Sequence, residues 1–146
     1  MTQSIGPRPW MTPAAPVIAA LEAAGGRALF VGGCVRNTLL EAKVGDVDIA
    51  TTLTPEAVIA ALGAAKIRAI PTGVDHGTVT AVLDGQPFEV TTLRRDVETD
   101  GRRAVVAFTT DWSEDAQRRD FTMNAVYADA QGTLTDPTGT GVDDAK

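Results

Sequence analysis

Two aspartates separated by a single residue, Asp46 and Asp48 in the segment DVDIA, are the most evident candidates for chemistry in this chain. In an extended strand both side chains point to the same side, with Cβ atoms roughly 6–7 Å apart. Two carboxylates placed in this way repel each other unless water or a cation compensates them, and hard oxygen ligands select Mg²⁺ or a similar ion. The pair therefore predicts either a magnesium site that acts on a phosphate or two exposed aspartates on an edge strand.

A glycine pair, Gly32-Gly33, precedes the aspartates and favours the first interpretation. Glycine lets a backbone approach a phosphate closely, and a helix that begins at about Cys34 would direct free N–H groups at the anion. Arg36, in the first turn of that helix, could add a bidentate contact. A strand, a Gly-Gly turn, a short helix with an arginine and a D-x-D strand together predict a metal-and-phosphate site.

Hydrophobic spacing and the glycine and proline breaks predict the elements that hold these residues. Thr54 is the expected N-cap of a helix that runs to about Leu62. Two strands, 76–83 and 87–93, flank Asp84-Gly85-Gln86 and predict a β-hairpin. The remaining predictions are helices over 17–24, 35–40 and 113–119 with Ser113 as N-cap, strands over 27–31, 46–50, 67–70, 104–108 and 126–128, and a mobile loop over 94–103.

Helices that alternate with short strands and include an antiparallel hairpin predict an α+β fold, close to α/β, with a mixed sheet flanked by helices. A continuous βαβαβ series is not evident, so a Rossmann-type doubly wound sheet is the weaker alternative. The length of 146 residues predicts one domain, preceded by an irregular, flexible lead-in over residues 1–12 that contains several prolines.

Composition narrows the class of protein further. No apolar run approaches the roughly 18–20 residues that span a bilayer, and Cys34 is the only cysteine, so we expect a reduced, cytoplasmic protein. The net charge of −6 argues against a nucleic-acid partner. Six of the ten arginines nevertheless fall within one segment, where they either contact phosphates or belong to a solvated loop: Arg94, Arg95, Arg102, Arg103, Arg118 and Arg119.

Four segments resemble the motifs of a known family. LFVGGCVRNTLLEAKVGDVDIAT is similar to the signature of the polymerase β nucleotidyltransferase superfamily, and specifically of class II CCA-adding tRNA nucleotidyltransferases and bacterial poly(A) polymerases. HGTVTAVLDGQPFEVTTLR, EDAQRRDFTMNAVYAD and LTDPTGTGVDD are similar to later motifs of the catalytic head, in the same order. The resemblance implies a polymerase β-type fold with a largely antiparallel sheet, in which residues 13–146 form the head and the family's neck, body and tail are absent.

The resemblance also implies functional roles for ten residues. They are the metal-binding Asp46 and Asp48, the third carboxylate Glu89, the triphosphate-contacting Gly32, Gly33 and Arg36, and Arg118, Arg119, Asp120 and Asn124, which would contact the ribose and phosphates of the nucleotide. A hairpin glutamate that faces solvent is the alternative for Glu89. Asn37 stands where most relatives have aspartate, and we expect it to alter local hydrogen bonding rather than to abolish metal binding.

The function that follows from the resemblance is Mg²⁺-dependent transfer of CMP and AMP from CTP and ATP to the 3′-hydroxyl of tRNA, with release of pyrophosphate. A poly(A) polymerase head and a nucleotide-binding fragment without turnover are the alternatives. His76 is expected to anchor the hairpin rather than to act as a base, and Cys34 to pack rather than to ionise at the helix N-terminus. Glu114-Asp115 imitates the family's base-selecting E-D-x-x-R motif, but its position directly before RRDFT makes that match false.

Overall fold

A computed structural model describes residues 5–6, 8–45, 47–73, 77–99, 103–118 and 126–137. Its elements are a 3₁₀ helix over Pro9–Ala14; helices α1 Ala15–Ala23, α2 Gly33–Leu39, α3 Pro55–Ala64 and α4 Trp112–Gln117; and strands β1 Ala28–Val31, β2 Asp48–Thr51, β3 Arg68–Gly73, β4 Thr78–Leu83, β5 Gln86–Thr92, β6 Arg94–Thr99, β7 Arg103–Phe108, β8 Tyr127–Ala128 and β9 Leu134–Thr135. The predicted α+β class with a mostly antiparallel, helix-flanked sheet is confirmed.

Seven strands form one sheet in the order β3-β4-β5-β2-β1-β8-β9, and β6 pairs with β7 in a separate two-stranded sheet. Among the strand pairs that the structure describes in the large sheet, only β2 and β5 are parallel, with Asp48 opposite Glu89 and Thr51 opposite Thr92. The chain leaves β2, forms α3, β3 and β4, and returns along β5 beside β2. This crossover places β2 and β5, which are far apart in the sequence, next to each other in the sheet.

The two faces of the large sheet are covered unequally. One face packs against α1 and α3 in the main core, which includes Leu21 from α1, Leu62 from α3, and Phe30 and Phe88 from the sheet. Each fully buried side chain of this size contributes about 1.5–3 kcal/mol, so this face carries most of the hydrophobic stabilisation. The other face holds a smaller cluster made by α4 and its neighbours: Leu29, Val31, Ala50, Leu93, Ala116 and Tyr127, with Trp112 at its margin.

Local signals explain the element boundaries well in two places. Thr54 caps α3 by accepting a hydrogen bond from Ala57 N, as predicted for a helix with proline at its first position. Asp84 and Gly85 form the two-residue turn between β4 and β5, and both have positive φ, 53° and 79°. Such a turn matches the right-handed twist of the flanking strands, so the predicted hairpin is confirmed.

Three expectations about the elements are wrong. Residues 94–103 do not form a loop in their described part, because β6 and β7 pair in register from Arg94 with Phe108 to Thr99 with Arg103, and those backbone bonds outweigh the polar composition. Strand β3 does not stop before Pro71 but continues to Gly73, which an edge strand with an irregular register permits.

The third correction concerns helix α4, whose N-cap is Asp111 rather than Ser113. The Asp111 side chain accepts hydrogen bonds from the backbone N–H groups of Ser113 and Glu114, and the helix begins at Trp112. Part of the expected irregular lead-in is also helical: Pro9–Ala14 forms the 3₁₀ helix, and Met11 is buried in the main core. Within the residues that the structure describes, no helix is both long and apolar enough to cross a membrane.

Candidate nucleotide and metal site

A continuous row of paired residues crosses the large sheet and contains two of the predicted carboxylates. Tyr127 pairs with Val31, Val31 with Asp48, Asp48 with Glu89, and Glu89 with Thr80. Residues directly opposite each other in a sheet share a face, and neighbouring strands lie about 4.8 Å apart. Val31 and Tyr127 belong to the cluster beneath α4, so Asp48 and Glu89 lie on that same face. Asp48 is half-buried and Glu89 is exposed.

The turn that follows β1 lies against Asp48. Gly32 has φ 78° and ψ −139°, a combination that side chains of L-residues rarely adopt, and it is the N-cap of α2. A Cβ atom built on Gly32 would lie 3.5 Å from Asp48 Oδ2. The Gly-Gly turn and the second aspartate of the D-x-D segment therefore form one site, although fourteen or more residues of sequence separate them.

Arg36 folds back toward the same turn. A Cβ atom built on Gly33 would lie 3.4 Å from Arg36 Nη2, so the guanidinium lies over the backbone at the start of α2. Arg36 Nε donates to Asn37 Oδ1 at 3.2 Å, and Asn37 Nδ2 donates to the backbone carbonyl of Lys43 at 3.0 Å. An aspartate at position 37 could accept the first bond but could not donate the second. Asparagine thus links the arginine to the segment that leads into β2.

The remaining predicted site residues divide into one that is described and four that are not. Arg118 is the C-cap of α4 and is half-buried. Asp46, Arg119, Asp120 and Asn124 lie outside the described residues, as does His76. Across the described part of the chain no group of three or more His, Cys, Asp or Glu side chains could hold a metal ion. The two described carboxylates, Asp48 and Glu89, are adjacent in the sheet. Asp46 is the third carboxylate that the sequence predicts for this site.

Cys34 is a packing residue, as the sequence predicts. Its Sγ donates to the Val31 carbonyl at 3.3 Å, and burial raises the pKa of the thiol from 9.0 to about 11. Desolvation therefore outweighs any lowering of the pKa by the helix N-terminus. Because the folded pKa is the higher one, the stability linked to this proton is complete below pH 9.0 and is lost as the pH rises toward about 11.

A labelling experiment tests this environment cleanly because Cys34 is the only cysteine. At about pH 8 we expect iodoacetamide to modify the native thiol at least tenfold more slowly than the urea-unfolded thiol, and the native rate to rise steeply as the pH approaches that of the raised pKa. Mass spectrometry of timed samples gives both rates. Equal rates for the native and unfolded chains would show that Cys34 is neither buried nor shielded.

Sequence reasoning missed a buried polar contact beside the site. Asp115 on α4 is 2% exposed, accepts a hydrogen bond from Arg94 N at Oδ1 over 3.0 Å, and accepts another from the Tyr127 hydroxyl at Oδ2 over 2.5 Å. The only sequence signal was spacing: Trp112, Asp115 and Ala116 share one helical face, and two of them are apolar. An acidic first turn is so common at helix N-termini that dipole compensation was the simpler interpretation.

The fold, together with the carboxylates beside the Gly-Gly turn, indicates the structural class of the protein. This is the polymerase β-type nucleotidyltransferase fold, as in the crystal structure of the Bacillus stearothermophilus CCA-adding enzyme in complex with CTP, which the chain matches with a TM-score of 0.81 and 41% identity over 94% of this chain and 32% of that one. Residues 28–146 match the family model described as the poly A polymerase head domain, and the chain belongs to that family.

Curated relatives agree with this assignment. The chain is 52% identical over 106 residues to CCA tRNA nucleotidyltransferase 1, mitochondrial, of Danio rerio, covering 72% of this chain and 25% of that protein. It is 45% identical over 125 residues to the CCA-adding enzyme of Oceanobacillus iheyensis, covering 84% of this chain and 30% of that protein. The chain therefore spans only about a quarter to a third of the length of these relatives.

Proposed function

We propose that the chain is the catalytic head of a CCA-adding nucleotidyltransferase, which transfers CMP and AMP from CTP and ATP to the 3′-hydroxyl of tRNA and releases pyrophosphate. The observation that carries the proposal is the placement of Asp48 beside Glu89 on one sheet face, directly against the Gly32 turn. Relatives named for this activity, and a similar structure that contains CTP, support the choice of substrate.

Magnesium fits the donor set at this site. Asp48 and Glu89 offer carboxylate oxygens in register on adjacent strands, which is the ligand chemistry that Mg²⁺ prefers, and we propose Asp46 as the further ligand. When bound there, Mg²⁺ would lower the pKa of the attacking hydroxyl and offset negative charge on the α-phosphate. An ion in this position also explains how a chain of net charge −6 can hold a triphosphate.

The other residues of the site would bind and orient the nucleotide. Gly32 lets the backbone approach the triphosphate because no Cβ intervenes, and Arg36 has its guanidinium over the same turn. Arg118, at the end of α4, begins the motif to which we also assign Arg119, Asp120 and Asn124 for contacts with phosphate and ribose. These groups hold the substrate in place for in-line attack and do not themselves transfer a proton.

One assay separates this function from its alternatives. The purified chain is incubated with Mg²⁺, each labelled NTP in turn, and tRNA that lacks its 3′-terminal CCA. Ordered addition of CMP and then AMP supports the proposal, whereas repeated AMP addition supports a poly(A) polymerase, an activity that the family's description names. Binding of NTP without any product would instead identify a nucleotide-binding module.

Removal of the metal gives a second test. We expect EDTA in excess over the divalent ion to abolish incorporation, and added Mg²⁺ to restore it, because the paired carboxylates bind the triphosphate through a cation. A matched sample that receives EDTA already saturated with Mg²⁺ controls for chelator effects on the RNA. Full incorporation in excess EDTA would overturn the assignment of Asp48 and Glu89.

The proposed acceptor and cellular location also depend on what is known of similar proteins. A similar structure is that of a tRNA nucleotidyltransferase complexed with a primer tRNA and an incoming ATP analog, with a TM-score of 0.66 and 30% identity over 88% of this chain and 36% of that one. We propose tRNA as the acceptor on this basis. The cytoplasmic location stays a prediction, since one group of relatives carries the word mitochondrial in its name.

A further inference from the structure

Two adjacent acidic residues on α4 hold the two ends of the β6–β7 hairpin. Asp115 Oδ1 accepts from the backbone N–H of Arg94, the first residue of β6. Glu114 Oε1 accepts from the hydroxyl of Thr109, the residue that directly follows β7, at 2.6 Å. Thr109 N also donates to the carbonyl of Leu93 at 2.9 Å, which closes the base of the hairpin. Helix α4 therefore contacts both strands of the hairpin at its base.

The same helix is fixed relative to the candidate site. Asp115 Oδ2 accepts from the Tyr127 hydroxyl, and Tyr127 lies in the row of paired residues that leads through Val31 to Asp48. Ala116 and Trp112 pack in the same cluster as Tyr127. Three residues after Asp115, Arg118 is the C-cap of α4, so one short helix connects the hairpin base, the carboxylate row and the start of the RRDFT segment.

Among the described residues, β6 and β7 form their own two-stranded sheet, which shares no ladder with the large sheet. Phe108, at the end of β7, is exposed on one side, and a Cβ atom built on Gly77 would meet its ring at 2.8 Å. The two acidic contacts at its base therefore help to hold the hairpin in position relative to α4.

We propose that Glu114 and Asp115 are positioning residues that hold the β6–β7 hairpin to α4 and so place the hairpin relative to Arg118 for nucleoside triphosphate binding. This inference rests on the proposed function. Glu114 and Asp115 touch neither substrate nor metal in this scheme; they act through the hairpin and through the helix end. The role also gives the Glu114-Asp115 pair a task other than base selection.

Amide hydrogen exchange and CTP affinity together test the inference. Glu114→Ala loses the acceptor for Thr109, and we expect the β6–β7 amides to exchange about fivefold faster and CTP to bind about fivefold more weakly, the effect of one ordinary hydrogen bond. Glu114→Gln keeps an acceptor oxygen and should restore both values. The exposed Gln117→Ala, on the same helix, should change neither, and the amides of the β4–β5 hairpin serve as the internal reference.

A double substitution sharpens the result. If the two side chains act as one contact, adding Thr109→Val to Glu114→Ala should increase exchange by much less than the product of the single effects. Asp115→Asn, which can still accept from Arg94 N, should be milder than Asp115→Ala. Because Asp115→Ala removes a buried carboxylate and could unfold the chain, the Glu114 and Thr109 variants decide the question.

The outcomes are distinguishable. If amide exchange is unchanged in Glu114→Ala, the contact with Thr109 does not hold the hairpin to α4, and the inference is overturned. If exchange is faster but CTP affinity is unchanged, the contact is structural only, and the positioning role is overturned. Failure of the unsubstituted chain to bind CTP would overturn the proposed function and this inference together. Parallel changes in both readouts, with rescue by Glu114→Gln, support it.

Discussion

Replacing Asp48 by asparagine should lower the rate of nucleotide transfer by about a thousandfold, which corresponds to about 4 kcal/mol of transition-state stabilisation. The substitution keeps the shape of the side chain but removes the charge that the cation requires. Since Asp48 and Glu89 lie side by side on parallel strands, removing one negative charge also relieves their repulsion. A melt in metal-free buffer shows whether the variant remains folded at the assay temperature. Single-turnover incorporation of labelled CMP and a thermal melt measure the two effects.

A matched control separates local chemistry from general loss of charge. Asp84→Asn changes one exposed aspartate to asparagine in the β4–β5 turn, where φ is 53° and asparagine is well tolerated. We expect full incorporation from this variant. The assignment of Asp48 fails if Asp48→Asn retains incorporation within tenfold of the unsubstituted chain, or if its loss is explained by a lower melting temperature.

Gly32→Ala should destabilise the fold by about 2 kcal/mol and weaken CTP binding. The new Cβ would lie 3.5 Å from Asp48 Oδ2, which is an ordinary contact, so the cost comes from the backbone at φ 78° and ψ −139° rather than from a clash. Relief of that strain would move the turn away from Asp48. Urea denaturation gives the free energy of unfolding, and calorimetric titration gives the CTP affinity.

Two other glycines supply the comparison. Gly63 lies within α3, and a Cβ built there meets nothing within 4 Å, so Gly63→Ala should stabilise the chain by about 0.5–1 kcal/mol and leave CTP binding unchanged. Gly33→Ala needs no positive φ but would meet Arg36 Nη2 at 3.4 Å, so it should disturb nucleotide binding more than stability. Equal stability of Gly32→Ala and Gly63→Ala would contradict the strained turn.

The helical and hairpin elements were predictable because their signals are local. Thr54 before Pro55 specifies a helix start through one side-chain hydrogen bond, and Asp84-Gly85 specifies a two-residue turn through positive φ. These signals act within four residues of chain and need no tertiary partner. Strand β7 was predicted over 104–108, but β6 was missed for the opposite reason: the polar composition of residues 94–103 indicates a loop, and only pairing with β7 makes β6 a strand.

At the candidate site, too, some features could be predicted from the sequence and others depended on the tertiary structure. The sequence by itself predicted the chemistry, because carboxylates at D-x-D spacing after a Gly-Gly turn and an arginine suit a metal and a triphosphate, and the resemblance added the class of reaction. Only the tertiary structure decided that Glu89 lies next to Asp48, since that depends on a parallel pairing across 41 residues of chain. Only it could place Asp115 between Arg94 and Tyr127, because helical spacing indicates which face Asp115 shares but not which groups it contacts.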